Sequence, residues 1–355
     1  MMPPTNHCGL MNRRTAGKMA FGALACSFAA ARGEERRFLA AQNLRAAAEY
    51  SARRRGYSFL VIQHGKTLFE DYANGTSASE AHKIFSGTKG FWNLAALAAA
   101  EQGLLHLNEH VADTIEEWRS DKHKARITIR QLLDFSSGMD PIFPLHEDGI
   151  KNRDTIAIRH PLVAAPGEEF IYGPASLQVF HAVLKRKLAS RGESPTHYLE
   201  RHVLSPLGMG PQRYMADDSG NPLLASGFKL TAAQWARMGK LLLHGGEPVV
   251  KPDSMALCHS GSSVNCAFSL GIWNNHAASH GAREFDIEDM LELKWEKQNW
   301  RNTCICRDAP SDMVAAIGSM YNRLFVIPSM NLIAVRQGLN AKFSDGDFLR
   351  TLLGT

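Results

Sequence analysis

The chain has 355 residues, 45% of them hydrophobic, and a formal net charge of +5. That length supports one large core with a second lobe inserted into it. Four of the five net charges come from Arg13, Arg14, Lys18 and Arg32 in an acid-free N-terminal stretch. The body is close to neutral, which excludes an electrostatic footprint for nucleic acid.

In chain order, the first residues read as a targeting segment. Asn12-Arg13-Arg14-Thr15-Ala16-Gly17-Lys18 is a twin-arginine-like start, followed by an apolar stretch from Met19 to Ala31 that ends in Ala29-Ala30-Ala31, an A-x-A cleavage site. Residues 1–31 are therefore expected to direct export to the periplasm and to stand outside the fold. The run is too short to span a membrane. Cys26 follows Leu24-Ala25 as in a lipoprotein site, although the residue three before it is Ala23.

Glu34 to Arg55 reads as a helix whose Arg53-Arg54-Arg55 end is solvated. Tyr57–Ile62 and Thr67–Tyr72 read as strands around the turn His64-Gly65-Lys66. Ser86-Gly87-Thr88-Lys89 then opens a helix-forming run from Gly90 to Gln102, which Gly103 ends. From about 105 to 226 the chain is mainly helices and loops, including Ser176–Ala189 and Pro195–Leu204, and Thr231–His244 is a further amphipathic helix. Short apolar strands follow at Ala267–Trp273, Met313–Ile317, Leu324–Pro328 and Leu332–Arg336, and Phe343–Leu353 closes as a helix. Strands at both ends with helices between imply one sheet assembled from distant segments. The expected fold is an α/β (α+β) domain over residues 34–355, with a helical lobe at about 105–226.

Ser86 and Lys89 are three residues apart and so share one helix face. A serine needs an adjacent base to become a useful nucleophile. Lysine can serve only if its pKa falls from about 10.4 toward 7, a change of about 4–5 kcal/mol that burial can supply. The first-turn N–H groups of the helix face developing negative charge. A second copy of the spacing, Ser226-Gly227-Phe228-Lys229, sits in a glycine-containing loop, and its lysine precedes a new helix start at Thr231. Context therefore favours Ser86 as the nucleophile.

At these residues the chain resembles the penicillin-binding-protein-like serine hydrolases, which include class C β-lactamases, D-Ala-D-Ala carboxypeptidases and related esterases. The resemblance runs from about Tyr57 to Leu353. Its landmarks are Ser86–Lys89, Ile127–Met139, Pro166–Tyr172, Ser205-Pro206-Leu207-Gly208-Met209 and Phe325–Ser329. It implies a β-lactamase/transpeptidase-like fold, an antiparallel sheet flanked by helices. It implies that Ser86 attacks, that Lys89 and Tyr172 move protons, and that Tyr172 stands for the family's Y-x-N tyrosine. Pro174 replaces the asparagine of that motif. Ala316-Ile317-Gly318-Ser319 aligns with the family's K-T-G or H-x-G strand. Ala316 there cannot contact a substrate carboxylate, Gly318 permits close backbone approach, and the N–H groups of Ser86 and Ser319 would form an oxyanion hole. The expectation is a serine hydrolase acting through an acyl-enzyme on a small carboxylic ester or unusual amide. A β-lactamase or D-Ala-D-Ala carboxypeptidase is the alternative, and a non-catalytic ligand-binding homologue is a third reading. No cofactor or metal is implied, and the oligomeric state is open.

The remaining polar residues divide on chemistry. Cys258, Cys266, Cys304 and Cys306 read as buried thiols or one structural disulfide, since Cys304-Ile305-Cys306 lacks a second close pair at zinc-like spacing. His82, His106 and His110 read as surface or packing residues, Glu168-Glu169 as a solvated turn, and Trp92, Trp273 and Trp300 as core. Asn322 and Arg323 follow the oxyanion strand and are candidates for contact with substrate.

Overall fold

Gly56–Gln63 (β1) and Lys66–Tyr72 (β2) form a hairpin whose turn residues, His64 and Gly65, adopt left-handed φ values of 49° and 75°. Five more strands come from the last third of the chain: Phe268–Ser269 (β3), Ile272–Asn274 (β4), Val314–Gly318 (β5), Asn322–Ile327 (β6) and Leu332–Gly338 (β7). They join into one seven-stranded sheet in the order β2-β1-β7-β6-β5-β4-β3, antiparallel throughout. The register of β1 against β7, Gly56 to Gly338 and Gln63 to Leu332, pairs the early hairpin with the last strand of the sheet. The computed structural model describes residues 38–290, 295, 298–339 and 341–355, all within the unit Arg37–Thr355. The export-signal and Cys26 expectations lie outside these residues.

Every residue of β5, β6 and β7 is buried, so both faces of the sheet are covered. On one face lie Ala41–Arg53 (α1) and Asp345–Leu353 (α5); Phe348 meets Phe59 at 5.4 Å between ring centroids, edge to face. The other face carries Lys89–Glu101 (α2) and Ala232–Leu243 (α4), with Ala175–Leu188 (α3) in the helical segment between them. Gly239 lets α4 sit close to the sheet, since a Cβ there would lie 2.7 Å from Ile333 and 2.9 Å from Leu324. Thr231 opens α4 with a capping box to Gln234, a signature legible in the sequence. Trp92, Trp273 and Trp300 are core residues as expected. Among the described residues no helix is long and apolar enough to cross a membrane.

The structure departs from sequence expectation at element ends. Ala267–Trp273 is a hairpin rather than one strand, because Leu270 (φ 43°) and Gly271 (φ 79°) turn the chain between β3 and β4. The helix expected from Glu34 is described from Ala41. The closing helix begins at Asp345, where Ser344 caps it by accepting from Asp347 N. The Pro195 helix is regular only to Leu199 and widens over Glu200–Leu204.

The 3₁₀ turn Phe85–Thr88 leads into α2 and presses on the end of β5. A Cβ at Gly318 would lie 1.9 Å from the Ile84 carbonyl oxygen and 3.2 Å from Gly87 N. Both obstacles are backbone and cannot rotate away. Gly318→Ala is therefore expected to destabilise the protein by at least about 2 kcal/mol, read as a lowered denaturant midpoint; an unchanged midpoint would show that the strand and turn can separate without cost.

Candidate active site

Ser86 sits inside the 3₁₀ turn rather than at the first turn of α2, and the turn is entered through Phe85 in a left-handed conformation (φ 46°). A non-glycine residue there is strained, and such strain concentrates at functional sites. Lys89 Nζ lies 2.7 Å from Ser86 Oγ and donates to the Ala225 carbonyl at 3.0 Å. It also lies 4.6 Å from the centroid of the Tyr172 ring. The lysine is only 3% exposed, and no carboxylate pairs with it among the described residues. Burial alone lowers its pKa from 10.5 to about 7. In the neutral form an Nζ–H can still serve Ala225 while the lone pair accepts the Ser86 hydroxyl proton.

Tyr172 is packed among Phe135, Trp295 and Trp273, at centroid distances of 5.0, 5.4 and 5.8 Å. Burial pushes its phenol pKa up, and the hydrogen-bonding interaction with Ser86 offsets part of the rise. At neutral pH the phenol keeps its proton and acts as a donor. Ser319 lines the same cavity as Ser86, Lys89 and Tyr172, a space of about 330 Å³. Gly318 stands behind it against the Ser86 turn, and Ala316 is buried in β5, outside the lining.

Three cavity residues escaped the sequence reading. Phe143 and His146 line it from the helical segment, and Ser226 lines it from the loop before α4. Ser226 carried a signal, the repeated Ser-x-x-Lys spacing, but its Lys229 is exposed. The loop instead docks on the first motif: Phe228 N donates to Thr88 Oγ1 at 3.3 Å and Ile84 N to the Phe228 carbonyl at 3.0 Å. His146 carried no local signal. Its Nδ1 lies 3.2 Å from the Phe143 carbonyl, which only accepts, so Nδ1 holds the proton. Burial first, then the Lys89 charge, lowers the His146 pKa to about 4, so the imidazole is neutral with Nε2 bare.

Arg323 corrects an expectation. It is fully buried, its Nε lies 2.8 and 3.0 Å from the two Asp345 oxygens, and it is not in the cavity lining. Asn322 is buried too and donates to the Ser319 carbonyl at 2.8 Å. Neither offers a group to substrate, and Lys89 is the only lysine or arginine among the described lining residues. His82, stacked on Tyr57 at 4.6 Å, and His106 and His110 stay outside the lining. The four described cysteines are free thiols. Cys306 lies near Glu284 and Asp308, with potential ligand atoms within 4.8 Å of one another, but Arg350 engages both carboxylates.

A family model described as Beta-lactamase matches residues 37–256. The chain belongs to the beta-lactamase family. Members of this serine-hydrolase family share the fold described above. Two solved structures align over 88% of the chain. One is a class C beta lactamase from Rhodobacter sphaeroides (TM-score 0.63, 16% identity, 99% of that chain covered). The other is EstCE1, a hydrolase with promiscuous acyltransferase activity (TM-score 0.63, 18% identity, 97% covered). Protein flp from Staphylococcus aureus (strain MW2) is 31% identical over 171 residues, 43% of this chain and 34% of that protein. The chain thus spans about a third of the length of this curated relative.

Lys89 also leaves a thermodynamic trace. Its folded pKa is depressed below that of an unfolded lysine, so protonation opposes folding. The cost is present in full below about pH 7 and is relieved as pH rises toward 10.5. The displacement corresponds to about 5 kcal/mol, from which roughly 1–3 kcal/mol is subtracted for an orphaned Ala225 carbonyl when the lysine is replaced. Lys89→Met is expected to melt higher than the parent at pH 6, with the gap narrowing toward pH 10. A gap that widens with pH would contradict the buried-lysine assignment.

Proposed function

We propose that this protein is a serine hydrolase that works through an acyl-enzyme at Ser86. The observation that carries the reading is the 2.7 Å contact between Ser86 Oγ and a buried Lys89 whose pKa is brought to about 7. Ser86 Oγ forms a bond to the substrate carbonyl carbon while its proton passes to Lys89 Nζ. The oxyanion is received by the N–H groups of Ser86 and Ser319. The tetrahedral species collapses by breaking the bond to the leaving group, which takes a proton from Tyr172; the proton on Lys89 restores the phenol. Water then adds to the acyl carbon and gives a proton to Lys89; as the bond to Ser86 breaks, Lys89 returns that proton to Ser86 Oγ and the acid is released.

The substrate class we infer is a neutral carboxylic ester. The cavity walls include Phe85, Phe143, Pro174 and a neutral His146, and among the described lining residues Lys89 is the only lysine or arginine that could hold a substrate carboxylate. Penicillin-like substrates bring such a carboxylate and an amide, whereas Ala316 and Pro174 carry neither the cation nor the side-chain amide that would receive them. Charge-assisted hydrogen bonds are worth roughly 1.5–3 kcal/mol each, about 10- to 150-fold in rate. EstCE1, a hydrolase with promiscuous acyltransferase activity that shares this fold, is in keeping with this reading.

Ser86→Ala is expected to abolish covalent labelling by a fluorophosphonate, and Ser226→Ala to retain it. Labelling should rise with pH about a midpoint near 7 as Lys89 loses its proton. A short-chain p-nitrophenyl ester should be hydrolysed and a chromogenic cephalosporin left nearly untouched. A cephalosporin kcat/KM equal to the ester value would overturn the substrate class.

Residues 1–31 we propose as a twin-arginine export signal, on the strength of Arg13-Arg14 and the short apolar run behind them. Replacing both arginines with lysine should leave the precursor in the cytoplasm of a bacterial host. Normal processing of that variant would overturn the route.

A further inference from the structure

The turn that carries Ser319 is built against backbone preference. It links β5 to β6 through Met320 (φ 61°) and Tyr321 (φ 57°), left-handed positions where asparagine and glycine are favoured. Buried side chains hold its successive carbonyls. Arg323 Nη1 donates to Gly318 O at 2.6 Å, Asn322 Nδ2 to Ser319 O at 2.8 Å, and Arg336 Nη1 to Met320 O at 3.2 Å and Tyr321 O at 2.7 Å. From the other side, Tyr321 N donates to Glu288 Oε1 at 3.1 Å.

One of these contacts bears on chemistry. The Gly318 carbonyl and the Ser319 N–H belong to the same peptide unit. A guanidinium on that oxygen draws electron density through the amide and makes the N–H a stronger donor, as successive hydrogen bonds polarise one another in a low-dielectric interior. Arg323 is fully buried on the sheet face away from Ser86 and is anchored by Asp345, with Glu288 at 3.6 Å. A buried ion pair is not needed for packing, since well-fitted apolar residues commonly serve as well. Here Arg323 Nη1 donates to two peptide oxygens of the turn, Gly318 O at 2.6 Å and, more weakly, Asn322 O at 3.2 Å. We propose that Arg323 is a positioning residue that fixes and polarises the Gly318–Ser319 peptide, so that the Ser319 N–H meets the oxyanion already aimed and strengthened. This rests on the acyl-enzyme reading and adds to it a residue that never touches substrate.

The test compares Arg323→Gln, Arg323→Lys and Arg350→Met in the full chain. Glutamine can still donate to Gly318 O but carries no charge; lysine keeps the charge. Arg350 is engaged with Glu284, Asp308 and Asp347, so its loss controls for general destabilisation. The readouts are kcat and KM for a p-nitrophenyl ester, and affinity for a small trifluoromethyl ketone, whose serine adduct carries an oxyanion. Arg323→Gln should lower kcat by about 10- to 100-fold and weaken ketone binding by a similar factor, with KM held within about twofold. Arg323→Lys should recover part of both losses. If Arg323→Gln does not fold, the lysine variant decides: its kcat and ketone affinity must fall together, below parent values, at unchanged KM. Parent-like kcat and ketone affinity in the folded variants would overturn the inference, as would Arg350→Met reproducing the same paired losses. Ser86→Ala separates the two levels. Labelling that survives this substitution overturns the acyl-enzyme reading itself, whereas labelling lost beside a fully active Arg323→Gln overturns only the role of Arg323.

Discussion

The end of β5 lies against the Ser86 turn with no side chain between them, and the rest of the site is arranged around that approach. Two backbone segments can come this close only if one is glycine, and the strand supplies Gly318 with its would-be Cβ facing the Ile84 carbonyl. The sheet then fixes where the strand ends. β5 is held by β6, β6 by β7, and β7 by β1 from the start of the chain. Because α4 packs on the same sheet through Gly239, and the loop before α4 reaches the Ser86 turn through Phe228, turn and strand share one rigid frame. The oxyanion geometry proposed for Ser86 and Ser319 thus depends on a contact between main chains, with little freedom for side-chain rotation to blur it.

Burial performs the electrostatic work at Lys89. No neighbouring cation is needed to depress its pKa, because removal from water is the cause. The same environment acts in the opposite sense on Tyr172, holding its proton on, and keeps His146 neutral. One low-dielectric pocket therefore separates an acceptor amine from a donor phenol, and the division of labour follows from charge type: burial disfavours an ammonium and a phenolate alike. The arrangement opposes stability, and the aromatic packing around Tyr172 from Phe135, Trp273 and Trp295 is what the fold sets against that cost.

Much of this was legible in the sequence. The hairpin around His64-Gly65, the helix after Ser86, the cap at Thr231 and the late strands all follow from periodicity and turn chemistry, and the family resemblance joined Ser86, Lys89, Tyr172 and Ser319 into one site. What escaped depends on tertiary contact. His146 is an isolated histidine at the end of the 3₁₀ turn Phe143–His146, and nothing in the local sequence distinguishes it from a surface residue. The repeated Ser-x-x-Lys at Ser226 was visible, yet its place beside Ser86 comes from the docking of a distant loop. The position of Arg323 just after the oxyanion strand suggests contact with substrate, but, paired opposite Ile317, it points toward α5, while Gly318 faces the Ser86 turn. Alternation along a strand assigns faces only once one residue's direction is known.

That Lys89 is the only lysine or arginine among the described lining residues also bears on the end of the proposed catalytic cycle. On the proposed reading, hydrolysis of an ester generates a carboxylate where a neutral group had been, and above about pH 7 Lys89 has itself lost its charge. An acid formed there would be an anion with hydrogen-bond donors but no charged lysine or arginine among the described lining residues, in a space of about 330 Å³. Departure into water relieves that penalty, whereas the neutral ester that preceded it suffered none. On the proposed reading, the lining that admits a neutral ester thus also favours release of its acid.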